Sequence, residues 1–520
     1  MASGPRVWSR HRDAVPGAFA LVLHSHLPWL PGHGVWPVGE EWLHQALVES
    51  YVPLVEELHL LAAEGHRDVL TLGVTPVLAA SLDDPRMVRD AATWCGLWEQ
   101  RSREVLERGD AHERAVAAYE LGLARAGARA LRHRWRSGGS PVLRELRDAG
   151  VVELLGGPLT HPLLPRLLPE VARALLAAGL EDAVLRTGRR PGGIWSPECA
   201  WAPGLGDLVD EAGVGHLVVD EQLVRDAGGH PHAAWRVAGH DVVVVPRDLT
   251  VTNLVWSSRS GYPTGGAYRD FHARETARMS GLRLWATTSP DVPTEAKDGY
   301  VPARAAALVR GDVAHFVDAV RARLLEVAEV TGAPGLVTTA YDTELFGHWW
   351  HEGPRFLGEA VRALRAAGVT VTTLAGALAA GHVAGELDLG EGSWGAAKDF
   401  SVWEGPAVAD LAREQWWAQR RVVDLVGRER ATGRLGVRRP DLDALLGALA
   451  HALSSDWAFL VTRGQSADYA RGRAEGHLAD VHRLAALVDA GDEAGALAEA
   501  ARQRGVDHAF PHLDARRLGA

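Results

Sequence analysis

Seven times along this chain a short apolar run stops abruptly at a cluster of polar, glycine or proline residues, and helix-like stretches separate most of these runs. The runs are 18–23, ending in His24, Ser25 and His26; 68–72, ending in Gly73 to Pro76; and 151–155, ending in Gly156 to Pro158. They continue with 193–195, ending in Pro197 and Glu198; 216–219, ending at Asp220; 242–245, ending at Pro246; and 335–340, ending in Tyr341 and Asp342. A short continuous apolar run reads as a strand buried on both faces. Strand then helix, repeated, argues for a parallel α/β sheet, closed as a barrel or left open, with its chemistry at the strand C-termini. Between 313 and 327, Val313, Phe316, Val317, Val320, Leu324 and Val327 recur at three-and-four spacing, which predicts an amphipathic helix covering one face of the sheet.

Two regions break the alternation. Residues 87–147 are rich in Ala, Arg, Glu and Leu with almost no strand formers, so a helical insertion is expected there. Residues 381–391 are glycine-rich and read as a linker, and the apolar spacing over 442–453 and 478–488 predicts a helical C-terminal domain. A chain of 520 residues exceeds what one simple core accommodates, consistent with a large domain plus at least one smaller one.

A net charge of −11 disfavours phosphate backbones and anionic membranes as partners, and no apolar run reaches the ~18 residues that span a bilayer. The segment 1–17 is charged and lacks an apolar core, so a cytoplasmic location is the expectation. With only Cys95 and Cys199, neither a disulfide framework nor a cysteine-only zinc site is possible, and Cys199 reads as a packing residue. Tryptophan is abundant, at 19 residues. Indoles stack on sugar rings but also fill cores, so position has to decide between the two. Trp416 and Trp417, in a helical stretch, read as core.

Two segments concentrate chemistry. One is Gly192-Gly193-Ile194-Trp195-Ser196-Pro197-Glu198-Cys199-Ala200-Trp201, a carboxylate between indoles just after an expected strand. The other is Tyr341-Asp342-Thr343-Glu344-Leu345-Phe346-Gly347-His348-Trp349-Trp350-His351-Glu352-Gly353, which places a second carboxylate after another strand. Cleaving a glycosidic bond with retention needs two such carboxyl groups roughly 5 Å apart, and they can come from distant parts of a chain. His24 and His26, two apart, share one face if their strand continues through them. A His-x-His at a first strand end, joined by another His and an Asp, also suits a metal-dependent deacetylase or amidohydrolase.

In these segments the chain resembles glycoside hydrolase family 57, whose members carry five ordered motifs. The counterparts here are His24-Ser25-His26-Leu27-Pro28, Gly156-Gly157-Pro158-Leu159-Thr160-His161, the Glu198 segment, the Asp342 segment and Glu391-Gly392-Ser393-Trp394-Gly395. Further similarity lies in Thr75-Pro76-Val77-Leu78 and Ser454-Ser455-Asp456-Trp457, so the likeness spans nearly the whole length. The resemblance implies a (β/α)7 barrel over 1–385 with 86–148 as a helical insertion. It also implies a C-terminal helical domain, 386–520, that contributes to the active-site cleft. No metal or organic cofactor is implied.

Carried over position by position, the resemblance makes Glu198 the nucleophile and Asp342 the general acid/base. His24, His26 and His161 would line the donor subsite. Trp285, Trp394, Trp403 and Trp457 would stack on sugars or sit on the acceptor side. Glu344 is a rival for the proton-donor role. For these roles Glu198 must be ionised while Asp342 holds a proton, so the two environments must push their pKa values apart; burial among Phe346, Trp349 and Trp350 would assist.

The likeness is greatest to the 1,4-α-glucan branching members, which cut an α-1,4 linkage and pass the glucan to a 6-hydroxyl of an α-glucan acceptor chain. Those members carry a tyrosine on a mobile loop, whereas residues 220–256 here contain none, the nearest being Tyr262 and Tyr268. That departure leaves α-1,4-glucan hydrolysis and α-1,4 to α-1,4 transfer as alternatives.

Overall fold

The computed structural model describes residues 15–36, 38–277, 279–289 and 291–519, so the charged segment 1–14 lies outside the described residues. The strands are β1 (Ala18–Ser25), β2 (Leu70–Val74), β3 (Val152–Leu155), β4 (Gly193–Ile194), β5 (His216–Val219), β6 (Ala234–Val237), β7 (Val243–Pro246), β8 (Leu336–Asp342), β9 (Thr370–Thr372) and β10 (Val383–Leu387). Strands β8, β1, β2 and β3 are neighbours in that order and all parallel. A parallel bridge between Gly156 and Ile194 passes the ring on to β4, and β4, β5 and β7 continue it in parallel. Just past β7, Asp248 N–H donates to Thr338 O of β8 at 2.7 Å and brings the ring back to its start. The strands so joined are the seven expected from the apolar runs, closed as a (β/α)7 barrel.

Strand β1 shows how the pattern produces this. Alternate residues Ala18, Ala20 and Val22 point inward to meet Leu155, Trp195, Val218, Val245 and Ala340. Phe19, Leu21 and Leu23 point outward under the helices. The helix expected over 313–327 is real and runs over Pro302–Thr331, with all six spaced apolar residues buried. Its Phe316 meets Phe19 edge-on at 5.7 Å between ring centroids. Truncating either ring would cost about 3–5 kcal/mol. Helix Pro169–Thr187 approaches the barrel through Gly179, where a Cβ would lie 2.1 Å from the Gly157 carbonyl oxygen. That close approach seats the Gly156-Gly157-Pro158 turn, and with it His161.

After β2 come the helices Pro85–Arg108, Ala111–Arg132 and Gly139–Asp148. The first two pack along each other, and an Asp110–Glu113 capping box starts the second. The C-terminal part folds as helices Ala409–Ala431, Pro440–Ala452, Ser455–Arg463, Ala467–Asp489 and Glu493–Val506 around their own core of leucines, valines and alanines. The expected linker at 381–391 is corrected by the structure: it contains β10, which pairs in parallel with β6. This mostly exposed strand reads as linker because it carries little apolar weight. β10 also straddles the 385/386 division expected between the two domains.

Candidate active site

Strand β4 ends in a 3-10 turn, Pro197–Cys199, where Glu198 (φ 64°) and Cys199 (φ 50°) both take the left-handed conformation. Neither has the freedom of glycine, so each costs about 1–3 kcal/mol, a strain typical of functional sites. The turn is held in place by its partners. Trp394 donates its backbone N–H to the Glu198 carbonyl at 2.9 Å and its indole N–H to Glu198 Oε2 at 2.8 Å. Ser455 Oγ donates to Glu198 Oε1 at 2.8 Å. Burial raises the Glu198 pKa, and these two donors act against that rise.

The histidines form a directed chain behind this carboxylate. An ionised Glu198 only accepts, so the single Ser455 hydroxyl proton points at it, and Ser455 Oγ must accept from His161 Nδ1–H at 2.8 Å. Burial holds His161 and His24 well below the usual imidazole range, so both rings are neutral. The bare His161 Nε2 therefore accepts from His24 Nε2–H at 3.0 Å. His24 stacks on Trp195 at 4.3 Å, and His26 on His161 at 3.9 Å. His26 bonds Thr75 through Nδ1 at 2.9 Å and Asp456 through Nε2 at 2.8 Å. Although His26, His161 and Asp456 offer ligand atoms within 4.8 Å of one another, the nitrogens of both rings are engaged inside the protein. A metal would have to break these bonds.

Asp342 ends β8 in register with His24 of β1. It is partly open to the cleft. Burial raises its pKa well above the carboxylate range, reinforced by the charges of Glu344 and Glu198 and opposed in part by Arg247. Glu344 points elsewhere: its Oε1 accepts from the Tyr51 hydroxyl and from the His26 backbone N–H at 3.1 Å. Burial pushes its pKa to about 7. Phe346 and Trp350 are buried as expected near Asp342, but Trp349 is exposed and lies against Phe271.

Of the other expected tryptophans, Trp394 contacts Glu198. Its ring lies 5.1 Å from the Arg247 guanidinium, and Arg247 is fixed to Asp220 together with Lys398. Trp457 is corrected to a core residue: it is 1% exposed, donates to the His451 carbonyl at 2.7 Å and carries Arg473 over its ring. Trp403 is likewise buried, beside Phe400, Val402 and Trp394, and supports the Trp394 loop instead of offering a face. Trp285 packs on the main core and pairs its backbone with Gly299, with no side-chain contact to the Glu198 cluster found among the described residues. The resemblance picked out the segment Ser454 to Trp457 but carried only Trp457 into the site, leaving Ser455 and Asp456 without a role, and it gave Trp256 none. In the structure Trp256 is 36% exposed and stacks on Trp394 at 5.9 Å. A cavity of about 640 Å³ beside the helix Ala111–Arg132, lined by Trp98, Tyr119 and Glu352, includes neither carboxylate.

A parallel barrel that presents one hydrogen-bonded carboxylate and one whose pKa is raised, among indoles and imidazoles, suits a carbohydrate-active enzyme. Residues 20–380 match the family model described as glycosyl hydrolase family 57, and residues 415–517 match that described as 1,4-alpha-glucan branching enzyme, C-terminal. The chain belongs to glycosyl hydrolase family 57. It is 44% identical to a probable 1,4-alpha-glucan branching enzyme of Mycobacterium tuberculosis, covering 97% of this chain and 98% of that one. The solved family 57 branching enzyme of Thermococcus kodakaraensis, in complex with glucose and additives, superposes with a TM-score of 0.90 at 31% identity, over 97% of this chain and 96% of the other. The branching enzyme of Pyrococcus horikoshii gives 0.91 at 29% identity, covering 97% of each.

Proposed function

We propose that this protein is a retaining 1,4-α-glucan branching enzyme with Glu198 as nucleophile and Asp342 as general acid/base. Asp342 protonates the departing glycosidic oxygen as Glu198 Oε bonds to the anomeric carbon. The Asp342 carboxylate then takes the proton of an acceptor 6-hydroxyl as that oxygen displaces Glu198. The observation that carries this reading is the opposed surroundings of the two acids: Glu198 receives two hydrogen bonds, whereas Asp342, partly open, faces the charges of Glu344 and Glu198.

His24, His26 and His161 line the donor side, and Trp394 anchors the nucleophile. Trp285 remains a proposed outer contact. Transfer needs water kept from the glycosyl-enzyme. The absent loop tyrosine is compensated, in this reading, by Trp256, whose half-exposed ring extends the Trp394 surface beside Glu198. We assign the barrel domain up to the end of β10 at Leu387, two residues past the expected boundary, with 86–148 inserted, and the residues after it to a helical unit that completes the cleft through Ser455 and Asp456. The substrates are α-glucan donor and acceptor chains. No helix among the described residues is long and apolar enough to cross a membrane, and the two buried free cysteines suit a reducing cytoplasm.

Incubation with amylose, followed by proton NMR, tests the reaction. New α-1,6 linkages in excess of new reducing ends support branching; reducing ends alone would assign hydrolysis.

A further inference from the structure

Trp416 and Trp417, expected in the core, are 42% and 56% exposed on the helix Ala409–Ala431. Their rings meet edge to face, 4.7 Å between centroids and 81° between planes. The buried face of this helix is made by Leu411, Ala418, Gln419, Val422, Leu425 and Val426, and both indoles lie off it. Two adjacent indoles left in water forfeit burial that their area would reward, so they call for a ligand.

The surroundings say which kind. Arg413 and Glu414, one turn earlier, are exposed and enter no hydrogen bond or ion pair among the described residues, and Arg420 lies 6.0 Å from the Trp416 ring. These groups donate to and accept from hydroxyls, and the indole faces take the apolar face of a sugar ring. The exposed indole area amounts to roughly one full side chain, on the order of 250 Å². A stable protein partner needs about 800 Å² per side, so the patch suits a narrow ligand. An α-1,4-linked chain curves, rotating each glucose against the last, which fits two rings that are not coplanar.

The helix that carries the two indoles is anchored to segments that bear site residues. Gln415 on the same helix donates to the Ala452 carbonyl at 2.7 Å, two residues before Ser454. Gln419 accepts from Leu168 N–H at 2.8 Å, on the segment that follows His161.

We propose that Trp416 and Trp417 form a second α-glucan-binding site, outside the catalytic cleft, that holds a distal part of a long chain. This rests on the α-glucan reading above. The test compares wild type with Trp416→Ala/Trp417→Ala in two assays: retardation in native gels containing amylopectin, and turnover of the short chain maltoheptaose. The expected result is retardation weakened about ten-fold in the double variant. KM for amylose rises while kcat, maltoheptaose turnover and melting temperature stay at wild-type values. Equal retardation of both proteins alongside wild-type maltoheptaose turnover would overturn this site and leave the catalytic reading standing. Tryptophan-dependent retardation with no turnover of any α-glucan would do the reverse. Sedimentation that shows the double variant dissociating from a dimer, with unchanged retardation, would assign the patch to a second copy of the chain and overturn the proposal.

Discussion

Ser455, from the helical C-terminal part, donates its hydroxyl proton to Glu198 Oε1 at 2.8 Å across 257 positions of sequence. The barrel therefore does not by itself complete the surroundings of the proposed nucleophile. Ser455→Ala removes a donor to a charged acceptor, worth about 1.5–3 kcal/mol, so kcat/KM should fall about 10- to 100-fold. The donor acts against the burial that raises the Glu198 pKa, so its loss raises that pKa further. The acid limb of the pH–rate profile should move to higher pH, and Ser455→Thr, which keeps the hydroxyl, should restore it. A variant with an unmoved acid limb would contradict the assignment.

Glu344 acts on Asp342 through charge. After burial, Glu344 is the largest cause of the raised Asp342 pKa. Glu344→Gln removes that negative charge while keeping an oxygen to accept from Tyr51 and the His26 N–H. With less cost to ionising, Asp342 loses its proton at lower pH, and the alkaline limb should shift downward with the acid limb in place. Complete loss of activity at every pH would instead give Glu344 the proton-donor role.

Trp256 separates transfer from cleavage. Trp256→Ala should leave cleavage of amylose within a few-fold of wild type but lower the ratio of new α-1,6 linkages to new reducing ends, because water then reaches the glycosyl-enzyme more easily. An unchanged ratio, read by NMR, would remove Trp256 from the acceptor side.

Trp457 is a core residue, and its substitution should show it. Trp457→Phe loses the bond to the His451 carbonyl and part of the packing, so the melting temperature should fall, with destabilisation of about 1–3 kcal/mol. KM for glucan should not change. A raised KM at full stability would return Trp457 to the substrate.

Backbone pattern and side-chain role were legible to different degrees. The barrel strands could be read because a strand buried on both faces leaves a continuous apolar run, and β1, β5 and β8 do so plainly. Strands β6 and β10 lie outside the barrel ring, partly exposed, and carry no such run. Glu198 and Asp342 stood out because each follows a strand and is flanked by aromatic residues. The tryptophans did not sort themselves: Trp457 and Trp403 are buried while Trp256, Trp416 and Trp417 are exposed, and exposure is set by packing between distant segments that no local window contains. Ser455 lies in a segment that the resemblance picked out, but its bond to Glu198 was not legible, since that partner lies in another part of the chain.

Covalent capture at Glu198 tests the retaining mechanism most directly. Asp342→Ala, given an α-maltosyl fluoride whose leaving group departs without acid assistance, should form the glycosyl-enzyme but lack the base that clears it. Peptide mass spectrometry should then find one maltosyl addition on the segment 192–201, carried by Glu198. An addition on any other peptide, or release of product with inverted configuration and no adduct, would contradict it.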